Sequence, residues 1–110
     1  MTDLRTYNAN VKAAIARERE SDPNWSWNIK AVNKSIVKIG WGYLDYMGEA
    51  DCFTVEVSED DTMTVVIGTL PNGHKMYCFI GPDRWDDAET IEKGIELVIH
   101  AMANSAHNIY

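Results

Sequence analysis

The spacing of apolar residues predicts a helix near the N-terminus. Between residues 3 and 20, apolar side chains recur every three or four positions, which places them on one face of a helix. These positions are Leu4, Tyr7, Val11 and Ala14 or Ile15, followed on the same stripe by the charged residue Glu18. Pro23, in the stretch "SDPN" that comes next, cannot continue a helix. The sequence therefore predicts a helix over 3–20.

After the first helix the period changes to two, which is the repeat of a β-strand. In "WSWNIKAV", for example, Trp25, Trp27 and Ile29 share one face, and polar residues occupy the other. Turn residues such as "PNG" at 71–73 separate successive alternating stretches. Five strands are predicted in this way, over residues 25–32, 35–44, 52–58, 62–69 and 74–80. Because the connections are short, consecutive strands should be antiparallel neighbours in a meander.

The last apolar stripe is the most regular in the chain and predicts a second helix over 86–104. Its positions, three and four residues apart, are Ala88, Ile91, Ile95, Val98 and Met102. Asp86 followed by Glu89 has the form of a capping box, which predicts where the helix begins. Gly94 lies inside this helix, and we expect it to let the helix approach the sheet closely.

The order of helix, strands and helix predicts an α+β fold in a single domain. Four to five strands form an antiparallel sheet, and we expect both terminal helices to cover one face of it and supply the core. A chain of 110 residues is long enough for one such core and too short for two. Trp25, Trp27 and Trp41 are predicted to point into this core; the alternative is an exposed aromatic patch or a ligand pocket.

The apolar content of the chain bears on its location. No apolar run approaches the about 20 residues of a membrane-spanning helix, and the first 20 residues lack the apolar centre of an export signal. The sequence therefore predicts a cytoplasmic protein without membrane contact, in which Cys52 and Cys78 stay reduced. Both cysteines fall in predicted strands, where a free cysteine behaves as a small buried apolar residue.

The sequence contains no motif that indicates catalysis, and the protein is predicted not to be an enzyme. Its histidines and cysteines lack the close pairs that zinc sites use: Cys52, His74, Cys78, His100 and His107. Neither GxGxxG nor GxxxxGK[ST] occurs, and the acidic stretch at 51–61 lacks the central glycine of a calcium loop. We therefore expect no metal, no cofactor and no catalytic residues.

The net charge of −7 is unevenly distributed along the chain. Residues 1–44 hold seven basic and four acidic residues, whereas residues 45–96 hold thirteen acidic and three basic ones. Such an excess of acidic residues disfavours direct binding to nucleic acid, which requires clustered lysine and arginine. It favours instead a protein partner with a basic surface.

Two groups of carboxylates are the candidate partner-binding residues. The first lies around the turn between the third and fourth predicted strands and comprises Glu56, Glu59, Asp60 and Asp61. The second lies on the last predicted helix, off its apolar stripe, and comprises Glu89, Glu92 and Glu96. A solvated turn and a favourable match to the dipole at the helix N-terminus are the alternative explanations.

In its small size, acidity and helix–sheet–helix order, the chain resembles inhibitor proteins of phages and mobile elements, of the anti-CRISPR and anti-restriction type. The resemblance covers architecture and charge, and no family motif is carried over. It implies binding to a defence nuclease or nucleoprotein complex and blocking of nucleic-acid access or of a conformational change. The alternatives are a toxin-immunity or adaptor protein and, after these, a small-molecule-binding domain with an aromatic pocket. A monomer or a homodimer is predicted, since an edge strand such as 74–80 could pair with a second copy.

Overall fold

The chain forms the predicted α+β fold, as seen in a computed structural model that describes residues 2–21, 23, 25–43 and 52–109. A 3₁₀ turn, Leu4–Tyr7, leads into helix α1, Asn8–Ser21. The strands are β1, Trp25–Val32; β2, Ile36–Tyr43; β3, Cys52–Glu59; β4, Thr64–Thr69; and β5, Lys75–Ile80. Helix α2, Ile91–Ile109, follows the last strand. Residue 44, the last of the second predicted strand, lies outside the described residues.

The sheet is a meander of order β1-β2-β3-β4-β5 in which every neighbouring pair is antiparallel. Because each link reverses the chain, β1, β3 and β5 finish at the end of the sheet where β2 and β4 begin. Helix α2 starts at this same end, since it follows β5. The N-terminal 3₁₀ turn also lies here, because the Leu4 N–H donates to the Lys34 carbonyl at 3.0 Å.

Both helices pack on one face of the sheet and against each other, so a single core lies between the two layers. Its largest fully buried side chains are Leu4, Ile15, Trp27, Ile39, Phe53, Leu70, Ile95, Ile99 and Met102. Trp27 is 2% exposed and meets the Phe53 ring edge-on, with 5.6 Å between ring centroids. The predicted core position is therefore confirmed for Trp27. The side chains of Trp25 and Trp41 lie outside the described part of the chain.

The predicted start of the second helix at residue 86 is wrong, because α2 begins at Ile91. The residues before it turn back onto the edge of β5, where the Asp87 and Ala88 N–H groups both donate to the Phe79 carbonyl. The capping box of Asp86 and Glu89 does not form. Instead the Thr90 hydroxyl accepts a 3.2 Å hydrogen bond from the Lys93 N–H, which satisfies a donor of the first helical turn.

Two glycines let α2 lie directly against the sheet. A Cβ atom on Gly94 of α2 would stand 2.5 Å from Cδ1 of Ile80. A Cβ atom on Gly68 of β4 would overlap Cγ1 of Val98 and stand 2.7 Å from the sulfur of Met102. The predicted role of Gly94 in a close approach is confirmed, and Gly68 is its counterpart in the sheet.

Replacing Gly68 by alanine should destabilise the fold, because the new methyl group has no room beneath α2. At a strand position with free space above it, the same change would stabilise the fold, since glycine in a strand destabilises by about 0.5–1 kcal/mol relative to alanine. We expect Gly68→Ala to lower the free energy of unfolding by about 1–3 kcal/mol, as overpacking of a core does. Urea denaturation measures the change.

The matched control is Ser58→Ala, at an exposed strand position, which should alter the free energy of unfolding by less than about 0.5 kcal/mol. A Gly68→Ala variant as stable as the parent chain would mean that α2 does not pack this closely on β4.

Candidate functional site: an acidic end of the molecule

The meander and the two helices bring four segments together at one end of the molecule, here called the acidic end. It comprises residues 2–7, 33–35, 59–63 and 81–92. The N-terminus is attached to the β3–β4 turn, since the Thr2 N–H donates to Oε1 of Glu59 at 2.9 Å. Segments far apart in sequence thus share one surface.

Most of the acidic residues that the structure describes lie at this end. The acidic end holds nine acidic and three basic residues, a formal charge of −6. The acidic residues are Asp3, Glu59, Asp60, Asp61, Asp83, Asp86, Asp87, Glu89 and Glu92, and the basic ones are Arg5, Lys34 and Arg84. The other residues that the structure describes include four acidic and seven basic ones, a formal charge of +3.

Three of the four predicted hairpin carboxylates lie at the acidic end, and two of them also hold the local structure. Glu59 accepts the hydrogen bond from Thr2. Oδ1 of Asp60 accepts from the N–H and hydroxyl of Thr62 and from the N–H of Met63, each at 2.8 Å. These bonds lower the pKa of the Asp60 carboxyl below its usual value, the Thr62 N–H contributing most. Asp61 is exposed at the turn.

Glu56 is not part of this group. It lies within β3 between Ile36 of β2 and Ile67 of β4, and its exposed side chain is on the face of the sheet opposite the helices. Because strand residues alternate between the two faces, Glu56 points away from Val55, which is buried in the core. The structure therefore separates Glu56 from the other three hairpin residues.

The three glutamates predicted on the last helix do not form one ridge. Glu89 is exposed and precedes α2, and Glu92 is exposed in its first turn. Glu96 lies further along α2, where one carboxylate oxygen is 3.3 Å from Nη1 of Arg17 and the other is 3.6 Å from Nζ of Lys93. Glu89 and Glu92 thus belong to the acidic end, whereas the charge of Glu96 is balanced within the molecule.

Tyr7 connects the two groups of carboxylates. Burial raises the pKa of its phenol, and the negative charges of Glu92 and Glu59 raise it further. A carboxylate of the hairpin and one of the helix therefore act on the same hydroxyl. Asp3, in the same N-terminal segment, has its pKa lowered to about 2 by hydrogen bonds from the side chain and N–H of Arg5.

Three aspartates in the β5–α2 connection complete the acidic end, and their side chains hydrogen-bond to the backbone. Asp83 accepts from the N–H of Trp85 at 3.2 Å, and Asp86 accepts from the N–H of Asp83 at 3.1 Å. Asp87 accepts from the N–H of Phe79 at 3.0 Å. They were not among the candidate residues predicted from the sequence, which placed Asp86 and Asp87 at the start of a helix and Asp83 in the connection before it. The predicted meander could have indicated their position, since it places the end of the last strand at the same end of the sheet as the β3–β4 turn.

Two large apolar side chains are exposed among these carboxylates. Trp85 is 78% exposed, and the Arg84 guanidinium carbon lies 4.8 Å from the centroid of its ring. Met63, at the end of the β3–β4 turn, is 47% exposed. The acidic end therefore combines negative charge with apolar contact area.

A concave feature, separate from the acidic end, lies between the two helices. An open cleft of about 270 Å³ is lined in part by Arg17, Glu18, Glu96 and His100. Glu18, buried on the apolar stripe of α1, has Oε1 2.9 Å from Nδ1 of His100 on α2. Arg17 pairs with Glu96 across the same cleft. These polar side chains already have partners in one another.

Cys78 is a free cysteine packed in the core, which confirms its predicted role as a buried apolar residue. Burial and the nearby charge of Asp87 raise the pKa of its thiol and so disfavour the reactive thiolate. The side chains of Cys52 and His107 lie outside the described part. Among the described residues, no three histidine, cysteine or acidic side chains gather in a way that could hold a metal ion.

Comparisons with protein-family models, with curated proteins and with solved structures find no match to this chain. Neither helix, over the residues described, has the length and apolar character needed to cross a membrane. The geometry and charge of the acidic end are therefore the basis for a functional interpretation.

The convergence of Glu59 and Glu92 on Tyr7 can be tested through the pKa of the phenol. Replacing both glutamates by glutamine should lower the Tyr7 pKa toward its ordinary value, because two nearby negative charges are lost while the side-chain shape is kept. NMR titration of the Tyr7 ring measures the shift. Asp61→Asn, which removes a charge not coupled to Tyr7, should leave this pKa unchanged. An unaltered pKa in the double variant would place the two carboxylates away from the phenol.

Proposed function

We propose that this chain is a cytoplasmic, non-enzymatic binding protein that docks its acidic end on a basic surface of a protein that handles nucleic acid, and thereby inhibits it. The observation that carries the proposal is a formal charge of −6 at one end of the molecule, against +3 for the other residues that the structure describes. A basic surface that holds phosphates attracts such an array at long range. Once docked, the carboxylates occupy the positions that phosphates would take.

The acidic end is organised before it meets a partner. Asp60, Asp83 and Asp87 each accept a hydrogen bond from a backbone N–H group, so their charges occupy defined positions. Groups that are already ordered lose less conformational freedom on binding. This arrangement favours a specific docking surface over a loosely attracting tail.

The exposed apolar side chains supply a different contribution from the charges. Peripheral charges act chiefly on the rate of encounter and on the choice of partner, whereas buried aromatic anchors contribute most of the affinity. Trp85 and Met63 belong to residue types that are enriched at the centres of interfaces. We assign Trp85 the role of anchor and the surrounding carboxylates the role of attraction.

A toxin-immunity or adaptor protein would use the same acidic end, and the identity of the partner separates these functions from inhibition. The small-molecule alternative has less support. The ring of Trp27, one of the three tryptophans that would line its pocket, packs in the core against Phe53.

The test compares two double variants that lose the same charge. Glu89→Gln with Glu92→Gln removes two exposed carboxylates of the acidic end, and Glu20→Gln with Glu56→Gln removes two exposed carboxylates elsewhere. The immobilised chain captures proteins from a bacterial lysate, and each captured protein is purified. Surface plasmon resonance then gives its association rate with the parent chain and both variants.

We expect the acidic-end variant to associate more slowly by a factor on the order of ten, and the control variant to behave as the parent chain. The difference should shrink at high salt, because screening shortens from about 10 Å at 0.1 M to about 3 Å at 1 M. The parent chain should also displace labelled nucleic acid from the captured protein. Equal association rates for the two double variants would show that the acidic end is not the docking surface. A partner that keeps its nucleic acid would contradict inhibition and favour an adaptor.

A further inference from the structure

The face of the sheet opposite the helices, here called the open face, carries two exposed aromatic rings on strand β5. Tyr77 is 55% exposed and Phe79 is 40% exposed. Both point away from the core, because strand residues alternate and Cys78 between them is buried in it. Two residues apart on one strand, their side chains stand about 7 Å from each other. Each ring therefore offers a flat surface to a separate group.

The strand register places these rings on the apolar half of the open face. On β4, Ile67 lies beside Tyr77 and Val65 lies beside Phe79. Ile36 of β2 lies in the same row as Ile67. Val65 is only 7% exposed, although both helices pack on the other face of the sheet. The side chains around Val65 are therefore already packed together, and they support the rings before any ligand binds.

Three lysines occupy the half of the open face that lies farther from the acidic end. Lys38 of β2 and Lys75 of β5 lie in one row across the sheet, with a threonine of β3 and one of β4 between them. The side chain of Lys30 crosses β2 in the next row, since a Cβ atom on Gly40 would stand 2.6 Å from its Cε. Gly40 faces this way because its neighbour Ile39 is buried in the core. Lys30 and Lys38 are thus neighbours on the open face.

The open face is positively charged, unlike the chain as a whole. Against the three lysines it carries one acidic residue within the described part of the chain, Glu56, which gives a formal charge of +2. None of the ion pairs among the described residues involves these lysines. Their charges are therefore available to an anionic ligand. The prediction that nucleic acid is not bound directly rests on the total charge, which does not reveal this local excess of lysine.

We propose that the open face binds single-stranded nucleic acid, with bases stacked on Tyr77 and Phe79 and phosphates held by the lysines. A single strand has an anionic backbone and flat, largely apolar bases, so its two chemistries match the two halves of the face. Stacking of bases on aromatic rings is a general means of binding single strands, and an open sheet is one of the surfaces that present such rings. A duplex keeps its bases stacked on one another, so the rings discriminate against it.

The acidic end limits the path of the strand. Phe79 lies near the end of β5 that leads into the acidic end, where carboxylates repel further phosphates. The strand therefore runs from Phe79 past Tyr77 toward Lys75 and then along the row to Lys38, a span of about 14 Å across three strand spacings. A short oligonucleotide covers this path. The inference does not depend on the function proposed for the acidic end.

Fluorescence anisotropy tests the proposal with the full chain and labelled single-stranded DNA and RNA of the same mixed sequence, about twelve nucleotides long. We expect binding to both, weakened by a factor on the order of 20 between about 50 and 200 mM salt, because three phosphate contacts release counterions. Tyr77→Ser with Phe79→Ser should weaken binding by a factor on the order of 100, since two stacked bases lose their rings. Lys38→Gln with Lys75→Gln should weaken it by a factor on the order of ten.

Two control variants change the same residue types on the helix layer. Lys12→Gln with Lys93→Gln removes two exposed lysines, and Leu97→Ser removes an exposed apolar side chain. Both controls should bind the oligonucleotide as the parent chain does. Thermal unfolding checks that every variant is folded, and the lysine pair remains a test of the same face if the ring pair is not.

Three outcomes would overturn the proposal. The first is a parent chain that leaves the anisotropy of both oligonucleotides unchanged up to high micromolar concentration. The second is equally tight binding of a duplex of the same sequence, or unchanged binding by the folded open-face variants, because the rings and lysines would then not be the contact. The third is tighter binding of a labelled acidic peptide of glutamate and leucine, which would assign the open face to a protein segment.

Discussion

The packing of both helices against one face of the sheet is the constraint from which the other features of the molecule follow. Gly68 makes room for side chains of α2 and Gly94 makes room for side chains of the sheet, so α2 lies close to β4 and β5, and α1 packs beside it. Because α2 starts at the end of the sheet where β5 finishes, the connection over 81–90 remains at that end and turns back along the β5 edge. The same arrangement leaves the second face of the sheet uncovered. The acidic end, the covered edge and the open face are thus consequences of one layer order.

Both edges of the sheet carry contacts that limit pairing with other chains. On β1, Nε of Arg19 donates to the Trp27 carbonyl at 3.1 Å, so a side chain of α1 occupies an outward-facing acceptor. On β5, the backbone of Asp87 and Ala88 covers Phe79. Uncovered edges are where sheets add further strands, and natural proteins commonly block them in this way. Association is thereby directed toward surfaces made of side chains.

The carboxylates at the acidic end serve two physical roles together. Like charges repel, but in water the repulsion is only about 1 kcal/mol at 4 Å and is screened beyond about 10 Å. Hydrogen bonds favour the ionised form: those from the side chain and N–H of Arg5 lower the pKa of Asp3, and those from the N–H and hydroxyl of Thr62 and the N–H of Met63 lower the pKa of Asp60. A carboxyl whose pKa is lower in the folded chain stabilises the fold above its ordinary pKa, and this contribution is lost as the pH falls through the lowered value. The groups that shape the turns therefore keep their negative charge to a lower pH than a free aspartate does.

The amino-acid sequence by itself determined the secondary-structure elements, the antiparallel order of the strands and the total charge. Apolar residues recur at every second position in a strand and every three to four positions in a helix, and this pattern is visible in a short stretch of sequence. Short turns make consecutive strands pair with each other in antiparallel orientation. The start of α2 was not predicted correctly. The spacing of Asp86 and Glu89 fits a helix cap, but Asp87 hydrogen-bonds to the backbone of Phe79 in β5, so the helix begins later. Only the tertiary structure decided which charges gather: it pairs Glu96 with Arg17 and places Asp83 at the same end of the sheet as the β3–β4 turn. The reason is physical, since electrostatic neighbours are set by distance in space and no local period encodes that distance.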